Sequence, residues 1–475
     1  MTVVGAHDGP ASTTWDDRTG AHTRRLMDWA ASNRYVDLPQ AAVRSSRRLL
    51  LDYVGVAVGG ADHEAAPIAL EVARVLGGEP QATILVHGDR TSVANAALVN
   101  GISSHVLDYD DTHIPTILHP TGPIASAGLA IAEWRRLSGA ELLRAHVVAL
   151  EVSTRVSLAL YPQHYDAGWH MSGTTGTIGA GIAVALLCGA DGPQLVHALG
   201  IAATQAAGHR EQFGTMSKSL HVGKAAANGV LAGLLATRGY TAAPDPIEGR
   251  RGMFTVMSGR GDADALSAGL GSDWEIDRVG IKPYACGVVA HPPIDAARRL
   301  RTEHGLDPAE IEEVELRVHP LVLELTGKPE PRTGLEGKFS VAFCAAVALL
   351  EGAAGPREFT DETVRRPDVV ALRDRIRPRA VAEIHHSQAE ATARLRDGRE
   401  VSVRIDAATG TPENPIGDHE LRRKFLDLVE PVLGAERGRE LLGHAERIDA
   451  MASLGPLTAA AVRHESSPEH EGGEP

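Results

Sequence analysis

GTIGAGIAVALLCG, residues 176–189, is apolar on nearly every face, and so is LVHALGIAATQAAG at 195–208. A helix of that kind has to be buried among other helices. Working outward, KAAANGVLAGLLATRGY at 224–240 continues the pattern, with small residues every three to four positions that let helix backbones approach closely. Upstream, IASAGLAIAEWRRLSGAELLRAHVVALEVSTRVSLAL at 124–160 reads as two helices broken near Ser138-Gly139. SVANAALVNGISSHVLDYDD at 92–111 is another, and LPQAAVRSSRRLLLDYVGVAVGG at 38–60 ends in a glycine pair.

The texture changes near residue 275. IEEVELRVHP at 311–320 alternates apolar and polar residues, as a strand does, and EATARLRDGREVSVRID at 390–406 is two alternating runs around Asp397-Gly398, a hairpin signal. KFSVAFCAAVALLEG at 338–352 and VVALRDRIRPR at 369–379 read as helices. From about 417 amphipathic helix returns, and no internal repeat is evident. The expected fold is mainly α: an all-helical domain over 21–275 plus 413–462, with a smaller α+β lid domain inserted at 276–412. Residues 1–20 and 463–475 have the composition of disordered tails.

The 475 residues include 47 Lys and Arg against 61 Asp and Glu, a net charge of −14. That balance argues against nucleic acid or an anionic membrane surface as partner, without excluding a small anionic substrate in a local basic pocket. Aromatics are only 4%, so the core is built from small and aliphatic side chains. No apolar run reaches the ~20 residues of a membrane span. The first twenty residues lack the basic and apolar regions of a signal peptide. Cys188, Cys286 and Cys344 lie far apart and form no disulfide framework or zinc pair, which fits the cytoplasm.

Four clusters carry chemistry. HVLDYDDTHIPTILHPTGP packs His105, Asp108, Asp110, Asp111, Thr112, His113 and His119 into fifteen positions. Pro115 and Pro120 are expected to end the helix, so the cluster would lie at its C-terminus and in the loop beyond. These groups accept hydrogen bonds and move protons near neutral pH. They also read as a solvated cap or as metal ligands, although no HExxH or HxH spacing occurs. GWHMSGTTGTIGAG sets His170 before a Gly/Thr-rich loop opening a buried helix, a setting that suits a carboxylate better than a nucleotide. HREQFGTMSKSLHVGKAAANG, read as a basic loop, offers His209, Arg210, Lys218, His221 and Lys224. IKPYACGVVAHPPIDA offers Lys282, Tyr284 and His291, with Cys286 read as incidental. Histidines and lysines in four separate segments, without a cofactor motif, suggest cofactor-free acid–base chemistry on a polyanionic small molecule.

LDYDDTH…HPTGP, WHMSGTTGTIGAG, GTMSKSLHVGKAAANG, KPYACGVVAHPPIDAA and GKFSVAFCAAVALLEG, in this order, resemble the MmgE/PrpD family, over about residues 25–460. That family includes 2-methylcitrate dehydratase, cis-aconitate decarboxylase and an iminodisuccinate epimerase. The resemblance implies a metal-independent, cofactor-free site between a helical domain and an α+β lid, usually in a homodimer. Carried over, the catalytic set is Asp108, Thr112, His119 and His170, and the substrate-binding set is Lys218, Lys282, His221 and His291. Gly287 stands where cis-aconitate decarboxylase has a catalytic histidine, and Phe343 where many relatives have tyrosine. Both replacements are expected to remove hydrogen-bonding groups from one pocket. The implied activity is a 2-methylcitrate-dehydratase-type lyase on a di- or tricarboxylate. An epimerase, a decarboxylase and a non-catalytic carboxylate-binding protein are the alternatives.

Overall fold

The computed structural model describes residue 16 and residues 19–463. The two expected tails fall almost wholly outside the described residues. The protein is mainly α. The larger body holds the helices Gln40–Gly59, Val93–Val106, Thr121–Arg135, Gly139–Leu160, Met171–Leu187, Gly192–Ala203 and Ser217–Ala236. The chain returns to it with Asp418–Leu433 and Ala435–Glu446. One apolar cluster runs through all of these, and Ile276 and Ile281 also pack into it. Every residue of Met171–Leu187 is buried, as its all-round apolar sequence requires. The expected break at Ser138 is a capping box: the Ser138 hydroxyl accepts from the Glu141 N–H while Glu141 reaches back to the Ser138 N–H.

Small residues let two helices touch backbone to backbone. A Cβ on Gly223 would lie 2.3 Å from the Leu98 carbonyl oxygen, and one on Gly101 would lie 2.7 Å from Gly223 Cα. This contact locks Val93–Val106 against Ser217–Ala236, and so fixes His105 on the first relative to Lys218 on the second. Gly223→Ala is therefore expected to push the helices apart. It should cost about 1–3 kcal/mol, the usual scale of overpacking, and lower activity with it. An unchanged melting temperature would count against this reading.

The smaller body has its own core, running from Tyr284 to Ile405. Its four-stranded sheet has the order Ile376–Ala380, Ile311–Val318, Ala389–Leu395, Glu400–Ile405. The first pair is parallel and the others antiparallel. The hairpin expected at Asp397-Gly398 is present, with Gly398 at φ +86°. Ala389, Ala391, Ala393 and Leu395 point inward, toward the helices His291–Thr302 and Val341–Glu351.

Three local expectations need correction. VVALRDRIRPR is a helix only to Arg373, and Ile376–Ala380 is an edge strand. It buries only Ile376 and carries Pro378, so it lacks the alternation that marks a half-buried strand. The helix into the acidic cluster stops at Val106, well before Pro115, and Pro120 caps the next helix instead. Asp108 is then in the left-handed region at φ +50°. Finally, the Gly/Thr stretch after His170 and the segment from Ser217 are not loops: both are the first turns of helices.

Candidate active site

Asp108, His119, His170 and Lys218 line a narrow cleft between the two bodies, with Gly287, Val288, Val289, Leu325, Thr326 and Phe339 among the groups opposite. Its volume is about 390 Å³, and the polar side chains that line it are buried.

The acidic loop owes its shape to three buried lysines from distant segments, each donating to one of three successive carbonyls. Lys338 Nζ donates to Leu107 O at 2.7 Å, Lys282 Nζ to Asp108 O at 3.2 Å, and Lys424 Nζ to Tyr109 O at 2.7 Å. Lys424 is paired with buried Asp52 at 2.6 Å, and Lys338 also donates to Ala285 O of the smaller body at 2.7 Å. Burial pulls Lys338 down to about 8. The Asp108 carboxylate lies between Lys218 Nζ, at 2.8 Å, and Lys282 Nζ. Burial works against its charge, but Lys218 and Lys282 outweigh that and hold it well below the usual carboxylate range. Lys282 is almost wholly sealed behind Asp108 and does not line the cleft, whereas Lys218 does.

His119 is held from behind. Its Nδ1 is 2.8 Å from Asp111 O and 3.2 Å from Thr112 Oγ1. A carbonyl can only accept, so Nδ1 carries the hydrogen and Nε2 carries the lone pair. Thr112 thus acts on His119 from outside the cleft. His170 caps the Met171–Leu187 helix, its Nδ1 3.0 Å from His221 Nδ1 and its ring edge-on to Phe213. Burial pushes both His119 and His170 well below the usual imidazole range, helped by Lys282 and Lys218 respectively, so both are neutral at pH 7. Burial also lowers half-exposed His221, to about 4.

Sequence reasoning placed His105 and Asp110 in the cluster but gave them no role. His105 Nδ1 lies 2.8 Å from Asp110 Oδ2, and its buried Nε2 has no partner. Burial would raise the Asp110 carboxyl, yet His105 and His119 beside it hold it low. Asp111 goes the other way: burial, then Asp110, raise it well above the usual range. It accepts from Thr121 Oγ1 at 2.6 Å, and Thr121 in turn meets His146. His113 is bonded to Thr116 and Glu275 on the side of the larger body. His105, His119 and His170 together, or Asp108, Asp110 and His119, offer donor atoms within 4.8 Å of one another. The second set lies within one segment, whereas linear spacing hid the first, because His170 comes from a distant helix start.

His291 is not among the residues lining the cleft. It is buried at a helix start, its Nε2 3.3 Å from Cys286 O and its ring edge-on to Tyr284. Of the two departures from the family pattern, only Gly287 faces the cleft, where a Cβ would meet Thr326 Cγ2 at 3.2 Å. Phe343 is sealed in the smaller body's core against Phe359. The expectation that both open the same pocket is therefore corrected.

No helix among the described residues is long and apolar enough to cross a membrane. Comparison with known proteins gives a consistent result. The MmgE/PrpD N-terminal domain model matches residues 24–266, and the MmgE/PrpD C-terminal domain model matches 284–449. The chain is 26% identical to cis-aconitate decarboxylase of Aspergillus terreus (strain NIH 2624 / FGSC A1156) over 467 residues, covering 92% of this chain and 94% of that one. It is also 26% identical to the cis-aconitate decarboxylases of Mus musculus, covering 89% of both chains, and Homo sapiens, covering 89% of this chain and 90% of that one. Two family models that together span most of the sequence, and a cleft built from the segments that carry the family's motifs, make this chain a member of the MmgE/PrpD family.

Proposed function

We propose that the protein is a cofactor-independent lyase acting on a di- or tricarboxylate, of the 2-methylcitrate dehydratase type. The observation that carries this reading is the pair of neutral imidazoles, His119 and His170, beside the Lys218 ammonium in one narrow cleft. Lys218 binds a substrate carboxylate and steadies the enolate-like charge. His119 Nε2, its tautomer set by Asp111 O, takes the proton next to that carboxylate. The C–H electron pair forms the double bond as the β-hydroxyl leaves. His170 delivers a proton to the departing oxygen in concert with uptake from half-buried His221, 3.0 Å away. Asp108 fixes Lys218, and Lys282 fixes Asp108.

Decarboxylation is the second reading. The printed activity of the relatives favours it. Gly287, where cis-aconitate decarboxylase has a histidine, favours elimination instead. NMR of the pure protein in D₂O with hydroxy- and unsaturated polycarboxylates separates the readings. Formation of an unsaturated product from a hydroxy acid is expected. Loss of CO₂ from an unsaturated acid would replace it, and α-deuteration with an intact skeleton would indicate an epimerase.

The same reading carries a homodimer. Ile68, Val72, Val75 and Leu76 are exposed along the Ala65–Leu76 helix, an apolar stripe that a second copy would cover. Light scattering that gives the single-chain mass at micromolar concentration would remove it.

A further inference from the structure

We propose that the imidazoles of His105, His119 and His170 form an inhibitory binding site for a zinc-like divalent cation. The inhibition rests on the function proposed above; the binding does not. The ring centroids are 4.8, 5.9 and 6.3 Å apart. Three imidazoles on a tetrahedral zinc, with Zn–N of ~2.0–2.1 Å, place their centroids about 5 Å apart. One nitrogen from each ring already lies within 4.8 Å of the other two. Closing these to the ~3.3 Å of a tetrahedral site takes side-chain rotation of up to about 1.5 Å.

The three Nδ1 atoms already have partners, which leaves the Nε2 atoms for an ion. His105 Nδ1 is held by the Asp110 carboxylate, His119 Nδ1 by the Asp111 carbonyl, and His170 Nδ1 by His221. A carboxylate or carbonyl behind a ligating histidine, as His105 and His119 have here, is the arrangement that fixes tautomer and orientation in zinc sites. His105 Nε2 is the independent sign of a missing ligand: a buried ring nitrogen with a lone pair and no partner. The Asp110 carboxylate, 2.8 Å from His105 Nδ1 and 3.7 Å from His119 Nδ1, is the negative charge beside these rings, while Asp108 is matched by Lys218 and Lys282. The fourth metal position opens on the cleft, so the ion and the substrate compete for His119 and His170.

Equilibrium dialysis against Zn²⁺ should give one ion per chain. Co²⁺ should give the intense visible absorption of a four-coordinate site. His105→Gln should weaken Zn²⁺ at least about 100-fold, whereas His386→Gln, in the outlying His319–His385–His386 group, should leave it unchanged. Zn²⁺ should inhibit turnover competitively with substrate, and exhaustive chelation should leave the basal rate intact. The Co²⁺ spectrum of the unmodified protein decides the geometry even if His105→Gln does not fold. No saturable binding at 100 µM would overturn the site, as would a six-coordinate Co²⁺ spectrum or binding lost with His386 rather than His105. Binding without inhibition would keep the site and overturn the catalytic roles of His119 and His170.

Discussion

His170→Gln is expected to lower kcat by ~10²–10⁴-fold, the usual scale for a positioned acid or base, with little change in KM. Glutamine keeps the size of the ring edge that meets Phe213 but cannot relay a proton from His221. Lys218→Ala should do the opposite. It removes the cation that faces the cleft, and if that pairing persists from ground state to transition state the loss falls mainly on KM. Deleting one member of a closed charge pair costs on the order of 2–5 kcal/mol. The contrast comes from the structure: Lys218 is tied to Asp108 at a fixed distance, while His170 sits at the end of a hydrogen bond to a half-exposed ring. Steady-state kinetics on both variants tests it. A His170 variant with near-normal kcat, or with weaker binding as its only defect, would defeat the assignment.

Asp108→Asn is expected to be the most damaging change to stability. The carboxylate is the shared counter-ion of Lys218 and Lys282, both buried. Breaking a buried pair by removing one partner costs about 3–5 kcal/mol, because a charge is left uncompensated. Asparagine tolerates the left-handed conformation that residue 108 adopts, so the variant isolates the charge from the backbone. Asp108→Ala adds strain to the same loss. Denaturant unfolding measures both, and adding Lys282→Met to Asp108→Asn should recover part of the deficit. An Asp108→Asn protein within 1 kcal/mol of the parent would mean that water or substrate-side groups already neutralise the lysines.

The helices were legible because their signal is local. The all-round apolar run at 176–189 and the break at Ser138-Gly139 say what they form without reference to the rest of the chain. The edge strand at 376–380 was not, since its pairing rests on a distant partner and it buries one side chain. In the site, His119, His170 and Lys218 could be named from motifs. Lys338 and Lys424 could not, because they act on main-chain oxygens that every residue possesses. Lys282, expected at the substrate, stands behind the cleft and pairs with Asp108, a placement that its own segment does not reveal. His105 went unassigned because its significance is an unmet valence, visible only once its surroundings are known.

The acidic loop is not portable. Its three consecutive carbonyls are each gripped by a lysine that lies between 174 and 315 positions away in the chain. Grafting residues 107–111 onto another helical scaffold would transfer the carboxylates and leave behind the shape that aims them. A designer wishing to borrow this chemistry would have to move four discontinuous pieces together. By the same logic, the side chain at 107 can be exchanged without loosening the grip, since Lys338 holds only backbone there, whereas Tyr109 also offers its ring to Lys424, 4.0 Å from Nζ.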